Sequence, residues 1–280
     1  MKVKGHDLIR LLNATKRESC VNGRQQAQVM ACVLRKDEKG ISTTAIVRDG
    51  LTSVGHFRVE TAGDGGYTSI PLPDIERVIG VLKAHDLNSL ITITVKGDDG
   101  KILFKSPNKQ TTLKANFEGL AFPHSKKTIR EWEEESLSRA GQIGTRGYLM
   151  KDGILRPWFV TFTVGRRDLL EALSCDNING QRLNRYAFVW DDDDESLIVK
   201  VGDSLKGMTE TWLEHTSEWD MDSNVEDFEA TFEGGLEYVL KNMDAEHIDL
   251  CFADFREEGQ GIRLCLRDDD GSWVFQAGVL

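Results

Sequence analysis

One pattern, a short strand, an amphipathic helix and then three strands in succession, can be read four times along this chain. The first copy opens with a strand at 1–4 and a helix at 6–17. Leu8, Leu11, Leu12 and Thr15 fall on one face of that helix and Arg10, Asn13 and Arg17 on the other. Strand-like runs follow at 28–35, 41–47 and 52–60, punctuated by Asp37-Glu38-Lys39-Gly40 and Asp49-Gly50. The second copy has a strand at 67–71 and a helix at 73–85. Pro73 and Asp74 suit that helix's first turn, and Ile75, Val78, Ile79 and Leu82 form its apolar stripe. Its three strands are 90–96, 101–106 and 111–118; the first alternates strictly, Ile91, Ile93 and Val95 against Thr92 and Thr94, as a half-buried strand must.

The third copy reads as a strand at 159–164, a helix at 166–173 and strands at 186–190, 197–201 and 208–215. The fourth reads as a strand at 228–232, a helix at 235–243 and strands at 247–252, 262–267 and 272–277. Spacing supports a duplication: Leu8 and Ile75 lie 67 positions apart (75 − 8), as do Leu169 and Leu236 (236 − 169). Ile75 and Leu169 are 94 apart, so some 27 residues are inserted between the halves. The expected organisation is a domain at 1–122, a linker at 123–157 and a domain at 158–280. Within the linker a short helix around 129–137 is expected, and the rest as loop. Strands outnumber helices and follow one another directly, so the fold class is α+β with largely antiparallel sheets.

Composition narrows the function. The chain carries 35 Lys and Arg against 46 Asp and Glu, a net charge of −11, which excludes a protein coated in DNA-binding charge but leaves room for a local basic surface. No apolar run approaches the ~20 residues that span a bilayer, and residues 1–7 lack the apolar core of a signal peptide, so an intracellular protein with no membrane partner is expected. Its compartment would be the cytoplasm, or the nucleus or host interior for a viral protein. The five cysteines, Cys20, Cys32, Cys175, Cys251 and Cys265, are scattered without a CxxC pair and read as buried thiols.

No phosphate loop, nucleophile elbow or zinc-binding HExxH occurs, and the six histidines have no metal-ligand spacing. Asp191-Asp192-Asp193-Asp194-Glu195 lacks the glycine of a calcium loop and reads as a solvated hairpin turn, as does Asp268-Asp269-Asp270-Gly271. No enzymatic role, cofactor or metal is expected.

In the order and spacing of these units the chain resembles the DNA sliding clamps: the bacterial β-clamp, the proliferating-cell nuclear antigen of eukaryotes and archaea, and the phage clamps. The segment Ile41-Ser42-Thr43-Thr44-Ala45-Ile46-Val47-Arg48-Asp49, Ser69-Ile70-Pro71 before the Pro73 helix, and Ala115-Asn116-Phe117-Glu118-Gly119-Leu120-Ala121-Phe122-Pro123 look like matching clamp segments. The resemblance covers nearly everything outside the linker. It implies the DNA-clamp fold, two similar domains of two βαβββ units each, with sheets outside and helices lining a central channel. Two domains per subunit imply the trimeric branch, a homotrimeric ring that acts as a processivity factor for DNA polymerase.

What the resemblance implies can be carried to residues. Sequence-independent contacts to double-stranded DNA would come from Arg10, Lys16, Arg17, Arg77, Lys83, Arg166, Arg167 and Lys241 on the helices, with Glu171 and Glu237 interrupting the basic lining. DNA polymerase and a clamp loader would dock short peptide motifs in an apolar pocket at Ile46, Leu51, Phe122, Val279 and Leu280, although the apolar tail also reads as the last strand running on into the core. Head-to-tail closure would pair the edge strand holding Thr111, Leu113 and Ala115 with that holding Met208, Glu210 and Trp212. Two other readings fit the same residues: a clamp-fold ring or decoy that binds clamp-interacting peptides outside replication, and a structural assembly protein.

Overall fold

A computed structural model describes residues 1–16, 18–21, 24–27, 29, 31–48, 52–60, 68–72, 74–96, 101–114, 131, 134, 137–138, 140–174, 185–203, 207–220, 227–233 and 236–278. The chain divides into two compact units, Met1–Lys16, Val29–Ala45 and His56–Ser138 forming one, and Arg17–Gln28, Ile46–Gly55 and Arg139–Leu280 the other.

In the first unit a four-stranded sheet has the order β1 (Lys2–Lys4), β8 (Leu90–Lys96), β9 (Lys101–Ser106), β10 (Lys109–Lys114), all antiparallel. Alternation decides which face is buried: Val3, Ile91, Ile93, Ile102, Phe104 and Leu113 point into the core. A second run of paired strands has the order β6 (Thr52–Val59), β5 (Gly40–Arg48), β4 (Cys32–Asp37), β7 (Thr68–Leu72), of which residues 46–48 and 52–55 are grouped with the other unit. Its β4–β5 hairpin turns tightly at Gly40, whose φ of 140° is open to glycine and whose absent Cβ would meet the Val59 carbonyl oxygen at 2.3 Å. Helices α1 (Gly5–Lys16) and α2 (Ile75–Leu82) each bury the stripe expected of them. Asp74 caps α2 by accepting from the Arg77 N–H at 2.9 Å.

The second unit repeats the plan. One sheet runs β17 (His215–Trp219), β13 (Val160–Gly165), β19 (His247–Asp254), β20 (Ile262–Arg267), β21 (Trp273–Ala277); the other runs β16 (Gly207–Leu213), β15 (Ser196–Asp203), β14 (Arg185–Asp191), β18 (Phe228–Glu233). Helices α3 (Arg166–Ser174) and α4 (Leu236–Lys241) follow the first strand of each repeat. The core is aromatic: Phe162 meets Trp190 at 5.1 Å and Phe252 at 6.0 Å, and Phe159 lies edge-on to Phe228 at 5.3 Å between ring centroids. Cys32, Cys251 and Cys265 are buried free thiols; burial pushes the Cys32 thiol up to about 12 and Cys251 up to about 11.

Several sequence-based expectations need correction. The strand expected at 208–215 breaks at Glu214, because β16 pairs with β15 in one sheet and β17 crosses to pair with β13 in the other. The strand expected at 28–35 runs instead as Cys32–Asp37. A hairpin, β2 (Glu18–Val21) with β3 (Arg24–Ala27), lies between the expected helix at 6–17 and the expected strand at 28–35, where no element was assigned. The described residues of the stretch expected as a linker, 123–157, hold more regular structure than expected. Of these, 131, 134, 137, 138 and 140 are helical, in line with the expected short helix, but β11 (Gly147–Leu149) and β12 (Leu155–Pro157) form a hairpin where loop was expected.

That hairpin works as a strap. Tyr148 stacks on Phe275 at 4.9 Å and meets Phe255 edge-on at 5.7 Å, while the Arg263 guanidinium lies 4.1 Å from the Phe255 ring centroid. Trp158 donates its indole N–H to the Gly144 carbonyl at 3.2 Å, and Arg156 pairs with Glu258. The strap thus buries Cys251, Cys265 and Phe275, which lie on the face of their sheet turned away from the main core.

Candidate nucleic-acid and subunit interfaces

The helix cations predicted to touch DNA divide into two groups. Arg77, Lys83 and Arg167 are exposed, Arg10 is half-buried, and Lys241 is exposed beside Glu237 one turn earlier. Arg10 lies 3.5 Å from Asp7 on its own helix.

Lys16 and Arg166 do other work. Lys16 is 6% exposed, and its Nζ donates to Glu76 Oε1 at 2.6 Å. The pair joins the last turn of α1 to the first turn of α2, where each charge also opposes the helix partial charge beside it. Arg166 donates from Nη1 to the Leu240 carbonyl in the last turn of α4 at 3.1 Å and from Nε to the Ala245 carbonyl just beyond it at 2.8 Å, which ties α3 to the end of α4. Arg17 lies outside the described residues.

The duplication extends to this helix linkage. Glu76 and Glu237 are 161 positions apart (237 − 76), the same shift that carries Leu8 to Leu169, and both sit in a first helical turn. Glu237 accepts from Ser174 Oγ of α3 at 3.4 Å, as Glu76 accepts from Lys16 of α1. Glu237, expected from the sequence to interrupt the basic lining, therefore bridges two helices. Glu171 is exposed on α3.

Strands β10 and β16 each end a sheet, with no further strand paired to them among the described residues. On β16 Met208 and Trp212 are exposed, Trp212 at 63%, and Glu210 lies 3.6 Å from Lys200 on the neighbouring strand. On β10 the Leu113 side chain is buried in the core, and Thr111 Oγ1 is hydrogen-bonded to His85 Nε2 at 3.0 Å. Ala115 lies outside the described residues. Of the proposed peptide pocket, Leu51, Phe122, Val279 and Leu280 also lie outside them, and Ile46 is placed only as backbone in β5.

The acidic clusters behave as turns. Asp191 and Ser196 close the β14–β15 hairpin around exposed 192–195, with Glu195 at φ 47°. In the 268–272 turn the Ser272 N–H donates to Asp268 Oδ1 at 2.7 Å, and burial pushes the Asp268 carboxyl up to about 6. Among the described residues no group of three His, Cys, Asp or Glu is placed to hold a metal ion, and no helix is long and apolar enough to cross a membrane. His85 is buried between Ser106 and Thr111, and His56 bonds Thr44 at 2.9 Å while burial lowers its pKa to about 4.

No family model and no curated protein matches this sequence. Solved structures do. The proliferating cellular nuclear antigen of Entamoeba histolytica superposes over 100% of this chain and 98% of its own, with a TM-score of 0.63 at 12% identity. This chain has the sliding-clamp fold. The DNA polymerase III beta subunit of Thermotoga maritima (TM-score 0.60, 13% identity) and the beta sliding clamp of C. crescentus (0.59, 15%) match the clamp fold over the whole chain as well. The chain spans 65% of either bacterial protein.

Proposed function

We propose that the protein is a non-enzymatic DNA polymerase processivity factor, a sliding clamp in which three copies close a ring around duplex DNA. The observation that carries this reading is the end-to-end match to a nuclear antigen of nearly the same length, beside the two-thirds match to the bacterial clamps. Both chain length and two-unit construction favour the shorter type of subunit. Residues 1–122 and 158–280 serve as the two clamp domains.

In this reading the helices face the DNA. Arg10, Arg77, Lys83, Arg167 and Lys241 touch phosphates loosely, without reading sequence, so the ring slides. Lys16 and Glu76 hold the first helix pair in register, and Arg166 holds the second. The β10 edge of one copy pairs with the β16 edge of the next, and Met208 and Trp212 supply the apolar area that a free edge alone lacks. DNA polymerase and loader dock short peptides at Ile46, Leu51, Phe122, Val279 and Leu280. Closure turns polymerase dissociation into a tethered event with a high effective concentration.

Retention on DNA tests it. The protein is loaded onto a nicked circular duplex at salt high enough to suppress simple phosphate contacts, and the complex is passed over a sizing column. Co-elution with the circle, abolished by linearisation, is expected. Equal behaviour on circles and linear DNA would oppose the reading.

A further inference from the structure

The solvent face of the sheet β1-β8-β9-β10 carries six lysines, Lys2, Lys4, Lys96, Lys101, Lys105 and Lys114, and the four strands contain no acidic residue. In a chain with 46 acidic residues and a net charge of −11, this is the reverse of the average. Register aligns the charges. Lys96 stands opposite Lys101, and Lys101 opposite Lys114, across three neighbouring strands. Like charges placed directly opposite on adjacent strands destabilise a sheet, so the arrangement opposes folding unless an anion offsets it. Among the described residues, Lys2, Lys4, Lys96, Lys105 and Lys114 have no ion-pair partner.

The second unit handles its sheets differently. On the solvent face of β16-β15-β14-β18, Lys200 lies 3.6 Å from Glu210 and 3.7 Å from Glu229, and Arg185 stands opposite Glu233. In the sheet that corresponds by topology to the lysine sheet, β13-β19-β20-β21, the equivalent face is covered by the strap residues Tyr148 and Trp158. On the lysine face Lys2, Lys4, Lys96, Lys105 and Lys114 have no such acidic partner among the described residues, and Leu103 at its centre is 9% exposed.

We infer that this sheet face is a second nucleic-acid contact, one that grips the phosphate backbones of duplex DNA without reading sequence. Two lysine rows flank a neutral one. Lys2 and Lys105 lie in register with Thr92, and Lys96, Lys101 and Lys114 lie four residues further along the strands, with Thr94, Leu103 and Thr112 between. Four strand residues separate the rows by about 13 Å, close to the ~12 Å width of the major groove between the two phosphate backbones. No aromatic side chain lies on this face, the strands' one aromatic, Phe104, being buried on the other side, so bases of a single strand have no stacking platform here. The face shares no residue with the helix cations of the proposed channel, and the inference stands without the ring.

Fluorescence anisotropy with the full chain and a linear duplex of about 20 base pairs, titrated across salt concentrations, tests the proposal. Three proteins are compared: wild type, Lys2→Gln/Lys96→Gln/Lys105→Gln/Lys114→Gln, and Arg77→Gln/Lys83→Gln. The sheet variant removes like-charge repulsion and is expected to fold, checked by its circular dichroism. Its binding to the duplex should weaken at least tenfold at low salt, with the slope of log K against log salt falling by up to about 3.6, or ~0.9 for each phosphate no longer neutralised. Unchanged affinity and slope in the sheet variant would overturn the proposal, as would a wild type that binds no duplex. Binding of polyglutamate that disappears in the sheet variant, with duplex binding intact, would assign the face to an acidic protein instead. Failure of the helix variant alone to stay on circular DNA bears on the channel and leaves this result separate.

Discussion

Asp268→Asn is expected to stabilise the protein at neutral pH, and the effect should fade as the solution is acidified. Burial raises this carboxyl from an ordinary 3.8 to about 6, the reverse of the usual shift of a paired aspartate. Between those two values the folded chain keeps a proton that the unfolded chain has released. Stability therefore falls as pH rises from about 4 to about 6, and the penalty is fully present above that. At ~1.36 kcal/mol per pH decade, the gap from 3.8 to about 6 amounts to no more than about 3 kcal/mol. Asparagine keeps an oxygen to accept the Ser272 N–H, which donates to Asp268 Oδ1 at 2.7 Å, and it removes the charge. Urea unfolding of both proteins at several pH values, followed by tryptophan fluorescence, reads the difference. The variant's advantage should be near its minimum at pH 4 and grow to a plateau above pH 6. A difference that stays constant across that range would refute the reasoning.

Three further outcomes are expected. Tyr148→Ala removes a stacked ring and a cation–π partner from the strap, should cost about 2 kcal/mol, and should speed labelling of Cys251 and Cys265 by a thiol reagent; labelling at the wild-type rate would mean the strap does not guard them. His56, whose pKa burial lowers to about 4, stays neutral in the fold, so stability should be lost as pH falls from about 6.5 towards 4; His56→Gln should flatten that limb by up to about 3 kcal/mol, and an unchanged pH profile would argue against it. Lys16→Met should leave DNA retention intact, while Arg77→Glu/Lys83→Glu lowers it; the opposite order in a retention assay would show that the buried lysine had been misassigned.

Much of the fold could be read from the sequence because both of its periods are clean. The 3.6-residue stripe of Ile75, Val78, Ile79 and Leu82 and the alternation of Ile91 and Ile93 appear in the structure where they were expected, while Asp74, expected in the first turn, caps the helix instead. Ile262–Arg267 was located to the residue. The strap was missed because its strands are three residues each, too short to show alternation, although Lys151-Asp152-Gly153 between Gly147–Leu149 and Leu155–Pro157 is a hairpin signal. A second signal lay in β19, whose central run Leu250, Cys251, Phe252 and Ala253 is apolar on both faces and so calls for cover on both.

The interfaces were legible only in part. A helical wheel distinguishes a polar face from an apolar one, and it placed Arg77, Lys83 and Arg167 in the open. It says nothing of a neighbouring helix reaching across, which is why Lys16 and Arg166 were expected to face solvent when one meets Glu76 and the other the end of α4. Likewise Leu113 was grouped with an edge although strand alternation from Thr112 and Lys114 turns it inward. The lysine face could not be seen from composition, since each lysine is ordinary by itself and only the antiparallel register brings residues 2, 96, 101, 105 and 114 together.

Whether copies of the chain close into a ring is best settled by negative-stain class averages of the purified protein, paired with its mass in solution. A closed ring with three times the 31.4 kDa mass of the chain is predicted. Isolated single copies at micromolar concentration, with no ring in any class, would contradict it.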